Sequence, residues 1–186
     1  MTIKKLILLI LLANSTAVFG QKHIVGKMEF ELFGGISSPV ESYHGADPKI
    51  AQMAGVAYRY NIPNTNWDVG ATFQMEIPSY DFLHDGNRNT FQKNRTITLQ
   101  ATCNYNFKQG KKINPFVGIG VGWANNEVIP SYKYVYTKGN TIGIVPKVGV
   151  EFLSCVRLTG YAQISRRGYN SIGASLGITV GGYRKK

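Results

Sequence analysis

The chain has 186 residues, 44% of them hydrophobic and 17% charged, with 21 glycines, the length of one domain behind a short leader. Two cysteines and three histidines exclude a disulfide-dense scaffold and a Cys-rich zinc domain, while 11 Tyr and 9 Phe exclude disorder. The formal charge of +11 suits an anionic lipid or acidic ligand; no nucleic-acid-binding motif accompanies it, so a nucleic-acid partner is not expected.

Residues 1–20 read MTIKKLILLILLANSTAVFG. Lys4 and Lys5 begin a basic start, residues 6–13 an apolar run, and Val18 and Gly20 suit the −3 and −1 positions before a cut at Gln21. This pattern predicts a cleaved secretory signal peptide, its apolar run too short to span a bilayer. The expected organisation is therefore a leader over 1–20 and one domain over 21–186.

Past Gln21 the dominant signal is alternation with period two, the side-chain period of a β-strand. Eight segments carry it, at about 27–37, 51–60, 66–77, 94–107, 115–125, 140–152, 155–166 and 171–183. They exceed the ~5–6 residues of ordinary strands and match the ~9–11 that a tilted membrane-spanning strand needs. In the fourth, Ile97, Leu99, Ala101, Cys103, Tyr105 and Phe107 share one face, and Thr96, Thr98, Gln100, Thr102, Asn104 and Asn106 the other. Connections alternate between long (38–50, 78–93, 126–139, with 167–170 shorter) and short (61–65, 108–114, 153–154), as in barrels with short periplasmic turns and longer outer loops.

Two barrels compete. A soluble lipocalin-like barrel turns its apolar face inward around a ligand; a membrane barrel turns it to lipid. Gly118, Gly120 and Gly122 oppose Val117, Ile119, Val121 and Trp123, and Ser171, Gly173, Ser175, Gly177 and Thr179 oppose Ile172, Ala174, Leu176, Ile178 and Val180. Glycines and small hydroxyls make a poor charged exterior and a good narrow interior, so the apolar face is predicted to meet lipid. The phase then sends Glu29, Glu31, Arg59, Asp68, Glu76, Lys147, Glu151 and Arg157 into the lumen as an ion-pair network. A turn at Pro63-Asn64 would set Arg59 across from Asp68, and a turn centred on Ser154 would set Arg157 across from Glu151. Two aromatic girdles are expected: Tyr58, Tyr60, Trp67, Tyr105, Phe107, Phe116 and Phe152 by the short turns, and Trp123, Tyr80 and Phe82 by the long loops.

With leader, eight alternating segments and glycine-lined face assembled, the chain resembles the small bacterial outer-membrane β-barrels of the OmpA/OmpX-like kind. Residues 116–123 (FVGIGVGW) and 172–178 (IGASLGI) carry the likeness most clearly. The resemblance implies an all-β, eight-stranded antiparallel up-and-down transmembrane barrel in the outer membrane. It also implies insertion by the barrel assembly machinery, with outer-membrane lipid as surroundings; no cofactor is expected. Two features depart from the pattern. Tyr183 falls on the lumen phase unless a bulge at Gly181-Gly182 shifts it, and Pro146 lies inside a strand with no free edge, where a bulge or break is expected.

Residues 161–170 (YAQISRRGYN) faintly resemble part of the lipid A deacylase family, which needs a His beside its nucleophilic Ser. Ser165 has Gln163 at the equivalent place, so catalysis is not expected. His44, Asp47, His84 and Asp85 lack a metal-ligand spacing, and Cys103 and Cys155 stand on non-neighbouring strands, too far for a bridge. Tyr43, Tyr80, Phe82, Tyr132, Tyr134 and Tyr136 would put rings on the outer loops, where an extracellular ligand could bind. The expected role is structural or surface-interacting and non-catalytic in a monomer. A narrow channel, a soluble ligand-binding barrel and a lipid A-modifying enzyme are the alternatives.

Overall fold

Strands as long as the alternation demands must pair along both edges, and inside hydrocarbon no backbone group can be left to water. The computed structural model describes residues 24–40, 47–77, 79–84, 87–129, 139–166, 170–181 and 183–184. The predicted leader at 1–20 lies outside them, as do Tyr43, His44, Asp85, Tyr132, Tyr134 and Tyr136.

Among the described residues the strands are β1 (Ile24–Val25), β2 (Met28–Pro39), β3 (Asp47–Lys49), β4 (Ala51–Asn61), β5 (Trp67–Glu76), β6 (Ser79–His84), β7 (Asn87–Asn106), β8 (Ile113–Ile129), β9 (Gly139–Phe152), β10 (Val156–Gln163), β11 (Ser171–Val180) and β12 (Tyr183–Arg184). Eight of these, β2, β4, β5, β7, β8, β9, β10 and β11, pair antiparallel in sequence around a ring. β11 pairs back onto β2, Leu176 beside Gly34 and Val180 beside Phe30. The result is a closed antiparallel barrel, with no helix among the described residues, so neither edge of the long sheet is free.

The burial pattern is inverted relative to a soluble protein. Asp68, Thr98, Gln100 and Thr179 are almost wholly buried, while Leu32, Ile119, Val121 and Leu176 are exposed, Leu176 by 58%. A lipocalin-like barrel would show the reverse, and that alternative is set aside. The outward face of β7 runs apolar from Ile97 to Phe107, between Arg95 and Lys108, which gives it the length of a tilted membrane crossing. Trp67, Tyr105 and Phe107 form a chain of edge-on rings with centroids 5.0 and 5.1 Å apart beside the short turns. Such amphipathic belts sit at headgroup level.

The short turns have local causes. Asn64 takes a positive φ of 61° in the β4–β5 turn, a conformation its short polar side chain tolerates. In the β9–β10 turn Leu153 and Ser154 have φ of 53° and 50°, and the Cys155 N–H donates to the Phe152 carbonyl at 3.0 Å. That is the handedness a tight hairpin requires.

Several expectations are corrected. The connection 78–93 is largely strand: β6 pairs with the first part of β7, and the β7–β8 ladder continues to Lys93 and Ile129, because a hairpin above the membrane still gains from pairing. Of the bulge or break expected at Pro146 the structure shows the break alone: β9 runs through the proline in unbroken register with β8. Its effect falls on the other side. The β9–β10 ladder stops at Lys147 and Tyr161 and returns only at the Ile144–Ile164 bridge, with the same register. Ile144 and Ile164 exchange both backbone bonds at 2.9 Å, so the alternation makes Pro146 and Ala162 a hydrogen-bonding pair, and proline has no N–H to give. At the other departure β11 ends at Val180, Gly181 takes φ 95°, and the chain resumes as β12 paired with β1.

Lipid-facing burial makes a direct prediction. Leu176→Arg at mid-barrel should destabilise the protein by about 2–4 kcal/mol in urea titrations from lipid vesicles, whereas Thr96→Ser inside the lumen should change little.

Candidate functional site in the barrel lumen

The lumen is where this chain concentrates chemistry. Inward positions recur every second residue on each strand, so their side chains converge across a bore only wide enough for side chains. All eight charged residues predicted for the polar face are on it. Glu29, Glu31, Arg59, Asp68, Glu76, Glu151 and Arg157 are buried, and Lys147 lines the interior cavity.

They form separate groups. Near the short-turn end, Arg59 is the hub. Its Nε and Nη2 donate to Glu29 at 3.1 and 2.8 Å, its Nη1 to Glu31, and its Nη2 also to the Thr179 hydroxyl at 3.2 Å. Glu151 lies 3.8 Å away. Arg157 donates to Glu151 at 3.4 Å, stands 4.0 Å from Glu31, and lays its guanidinium 3.5 Å above the Phe116 ring. Two cations thus share three carboxylates, and each carboxylate has a positive neighbour, as low-dielectric burial requires.

The pairing of Arg157 with Glu151 matches the turn at Ser154, with the two residues directly opposed in register. The pairing of Arg59 with Asp68 does not form. The β4–β5 turn centres one residue later than Pro63-Asn64, so Arg59 faces Gly70 and Asn61 faces Asp68. This slip of two keeps every side chain on its face but changes the partner. Asp68 instead accepts from Asn104 at 2.5 Å and Asn106 at 2.7 Å, while Arg59 faces Glu29 across the β2–β4 ladder.

Further up the barrel, Glu76 forms a second group. It accepts from the Tyr161 hydroxyl at 2.7 Å, from Ser171 at 3.2 Å and from the Gln74 amide. Between the groups lies an apolar cluster, Phe33, Met53, Ala57, Val145 and Tyr161, so the lumen is not filled by polar side chains alone. A cavity of about 40 Å³ lies between Glu31, Arg59, Lys147, Arg157, Phe116 and Tyr161, and it would admit only a few waters.

Phe116, expected in the outer girdle, is a second correction. It shares the inward phase of Gly118 and Gly120 and is 1% exposed. Room for it comes from Gly149, directly opposite on β9, where a Cβ would stand 2.6 Å from the ring. Tyr161 repeats the device against Gly173 on β11. An aromatic facing a glycine in register is the signal that sequence reasoning had available for these lumen rings and did not use.

Ser165 follows the Ile164 bridge above β10, and its hydroxyl has no hydrogen-bond partner among the described residues. Gln163, at the place of the missing base, is buried in the lumen and accepts from Thr98 at 3.3 Å. Among the described residues no group of His, Cys, Asp and Glu could hold a metal, and neither Cys103 nor Cys155 is in a disulfide. The metal candidates His44 and Asp85 lie outside the described residues, as do the side chains of Asp47 and His84.

Comparison with solved structures gives the same architecture repeatedly. Neisserial surface protein A superposes with a TM-score of 0.54 at 12% identity, covering 85% of this chain and 99% of that one. OprG of Pseudomonas aeruginosa gives 0.54 at 9% identity, covering 86% and 99%. Ail, the attachment invasion locus protein of Yersinia pestis, gives 0.54 at 13% identity, covering 87% and 100%. The fold is that of the small outer-membrane β-barrels. No protein-family model and no curated protein sequence matches the chain. The apolar exterior is accordingly the surface of a barrel that resides in a bilayer.

Removing the hub cation should leave Glu29 without its guanidinium partner and Glu31 with only Arg157, 4.0 Å away. Arg59→Met is therefore expected to cost about 3–5 kcal/mol, read as a fall in urea midpoint or folding yield in vesicles. In double-mutant cycles Arg59 should couple to Glu29 and not, beyond about 0.5 kcal/mol, to Asp68.

Proposed function

We propose that this protein is a non-catalytic outer-membrane barrel, a plugged membrane scaffold whose working surface is its long-loop end. The carrying observation is the lumen itself. Arg59, Arg157, Phe116, Tyr161 and five carboxylates occupy the bore, and the cavity between Arg59, Arg157, Phe116 and Tyr161, about 40 Å³, is far below what a hydrated solute needs. A barrel that neither conducts nor hydrolyses contributes through what it presents outside. Support for a surface-interaction role comes from the fold neighbours, among them Ail, which was captured with the heparin analogue sucrose octasulfate. Against catalysis, the Ser165 hydroxyl has no hydrogen-bonded base among the described residues, and nucleophilic attack requires one.

The test is electrical. Purified protein in planar bilayers should give no stepwise conductance, and the same sample should show the heat-dependent gel shift of a folded barrel. Regular single-channel steps from folded wild-type protein would instead establish the narrow channel.

A further inference from the structure

Charge is distributed unevenly at the short-turn end. Among the described side chains no acid is exposed there: Glu29, Glu31, Asp68 and Glu151 all point into the lumen. The exposed cations at that end are Lys27, Lys108, Lys111 and Lys112, and none of the four has an acidic partner among the described residues. Three of them crowd into the β7–β8 turn.

That turn is fixed rather than loose. Gly110 takes φ 75°, the Lys111 N–H donates to the Lys108 carbonyl at 3.1 Å, and the Leu153 N–H to the Lys112 carbonyl at 2.7 Å. The Lys108 N–H donates to the Asn114 side chain at 3.0 Å. Lys108, Lys111 and Lys112 therefore rim one groove with Asn66, Phe107 and Ile113. Phe107 and Ile113 are both more than half exposed, and Phe107 continues into the Tyr105 and Trp67 rings of the girdle.

We infer that this groove is a binding site for an anionic phospholipid of the inner leaflet, with the headgroup phosphate on the three lysines and the upper acyl chain along Phe107 and Ile113. Charge complementarity and continuity with the apolar exterior select a lipid. A soluble anion would use the lysines and leave the exposed rings uncovered, whereas a lipid satisfies both halves of the groove. The inference rests on the membrane-barrel reading, because short turns face the periplasmic leaflet.

Trp67 supplies the readout. In a Trp123→Phe background it is the remaining tryptophan, and the protein is reconstituted in vesicles containing phosphatidylglycerol or phosphatidylcholine brominated high on the acyl chain. Both lipids should quench Trp67, with phosphatidylglycerol several-fold preferred, and Lys108→Gln/Lys111→Gln/Lys112→Gln should abolish the preference while leaving the folded gel shift intact. Equal quenching by the two lipids, or a preference that survives the triple substitution, overturns the site. Loss of the preference on adding inorganic phosphate at constant ionic strength overturns the lipid assignment in favour of a soluble anion. Absence of quenching by either lipid would overturn the membrane reading as well.

Discussion

A backbone crossing hydrocarbon must find every hydrogen-bond partner within itself, and here that demand is met by closing the ladder of eight strands between β2 and β11. Closure at eight strands leaves a narrow bore. Half of all strand residues point into it, and most of them are small, polar, or aromatic with space reserved opposite, the cluster around Met53 and Val145 being the apolar exception. The outward half is released from any pairing duty and is apolar. The inverted burial, the glycine-rich inward positions and the ion network are three consequences of one closed ring.

Within that ring the charges act as register markers. Burying ions is costly, and a paired set is often no more stabilising than hydrophobic replacements of the same volume. What the set around Arg59 and Arg157 does is penalise wrong alignments. Moving β4 by one residue against β2 would send Arg59 to the lipid face and leave Glu29 without its cation. The ring–glycine pairs restrict alignment in the same way by shape, since Phe116 has room only where Gly149 lies opposite.

Fold and face assignment were legible in the sequence because period two is a local signal repeated over ten or more residues per strand. Face survives even when register is misread, which is why Asp68 was placed inward correctly while its partner was not. The difference arises in a short turn centred between Asn64 and Thr65, with Asn64 at positive φ, and turn geometry of that kind is poorly encoded in residue type. Phe116 was misplaced for a different reason: its position near a strand end was given more weight than its parity with Gly118. The apolar cluster around Met53 and Val145 was likewise hidden, because an apolar residue on a polar face reads as noise until its neighbours across the lumen are known. Pro146 illustrates the limit of a rule about edges. Proline is excluded from a ladder only on the side where its nitrogen would donate, and losing one such bond toward β10 leaves the ladder with β8 whole.

The clasp between β1 and β12 has a topological meaning. Ile24 and Val25 pair with Arg184 and Tyr183, so the polypeptide enters and leaves the cylinder at one rim, beside the seam where β2 meets β11. The seam carries the same antiparallel ladder as its seven counterparts, and covalent continuity there is incidental to the ring. Tying the two ends together and nicking a distal connection would relocate the opening without disturbing a single inter-strand partner. The cylinder is, in this sense, cyclic in space although linear in sequence.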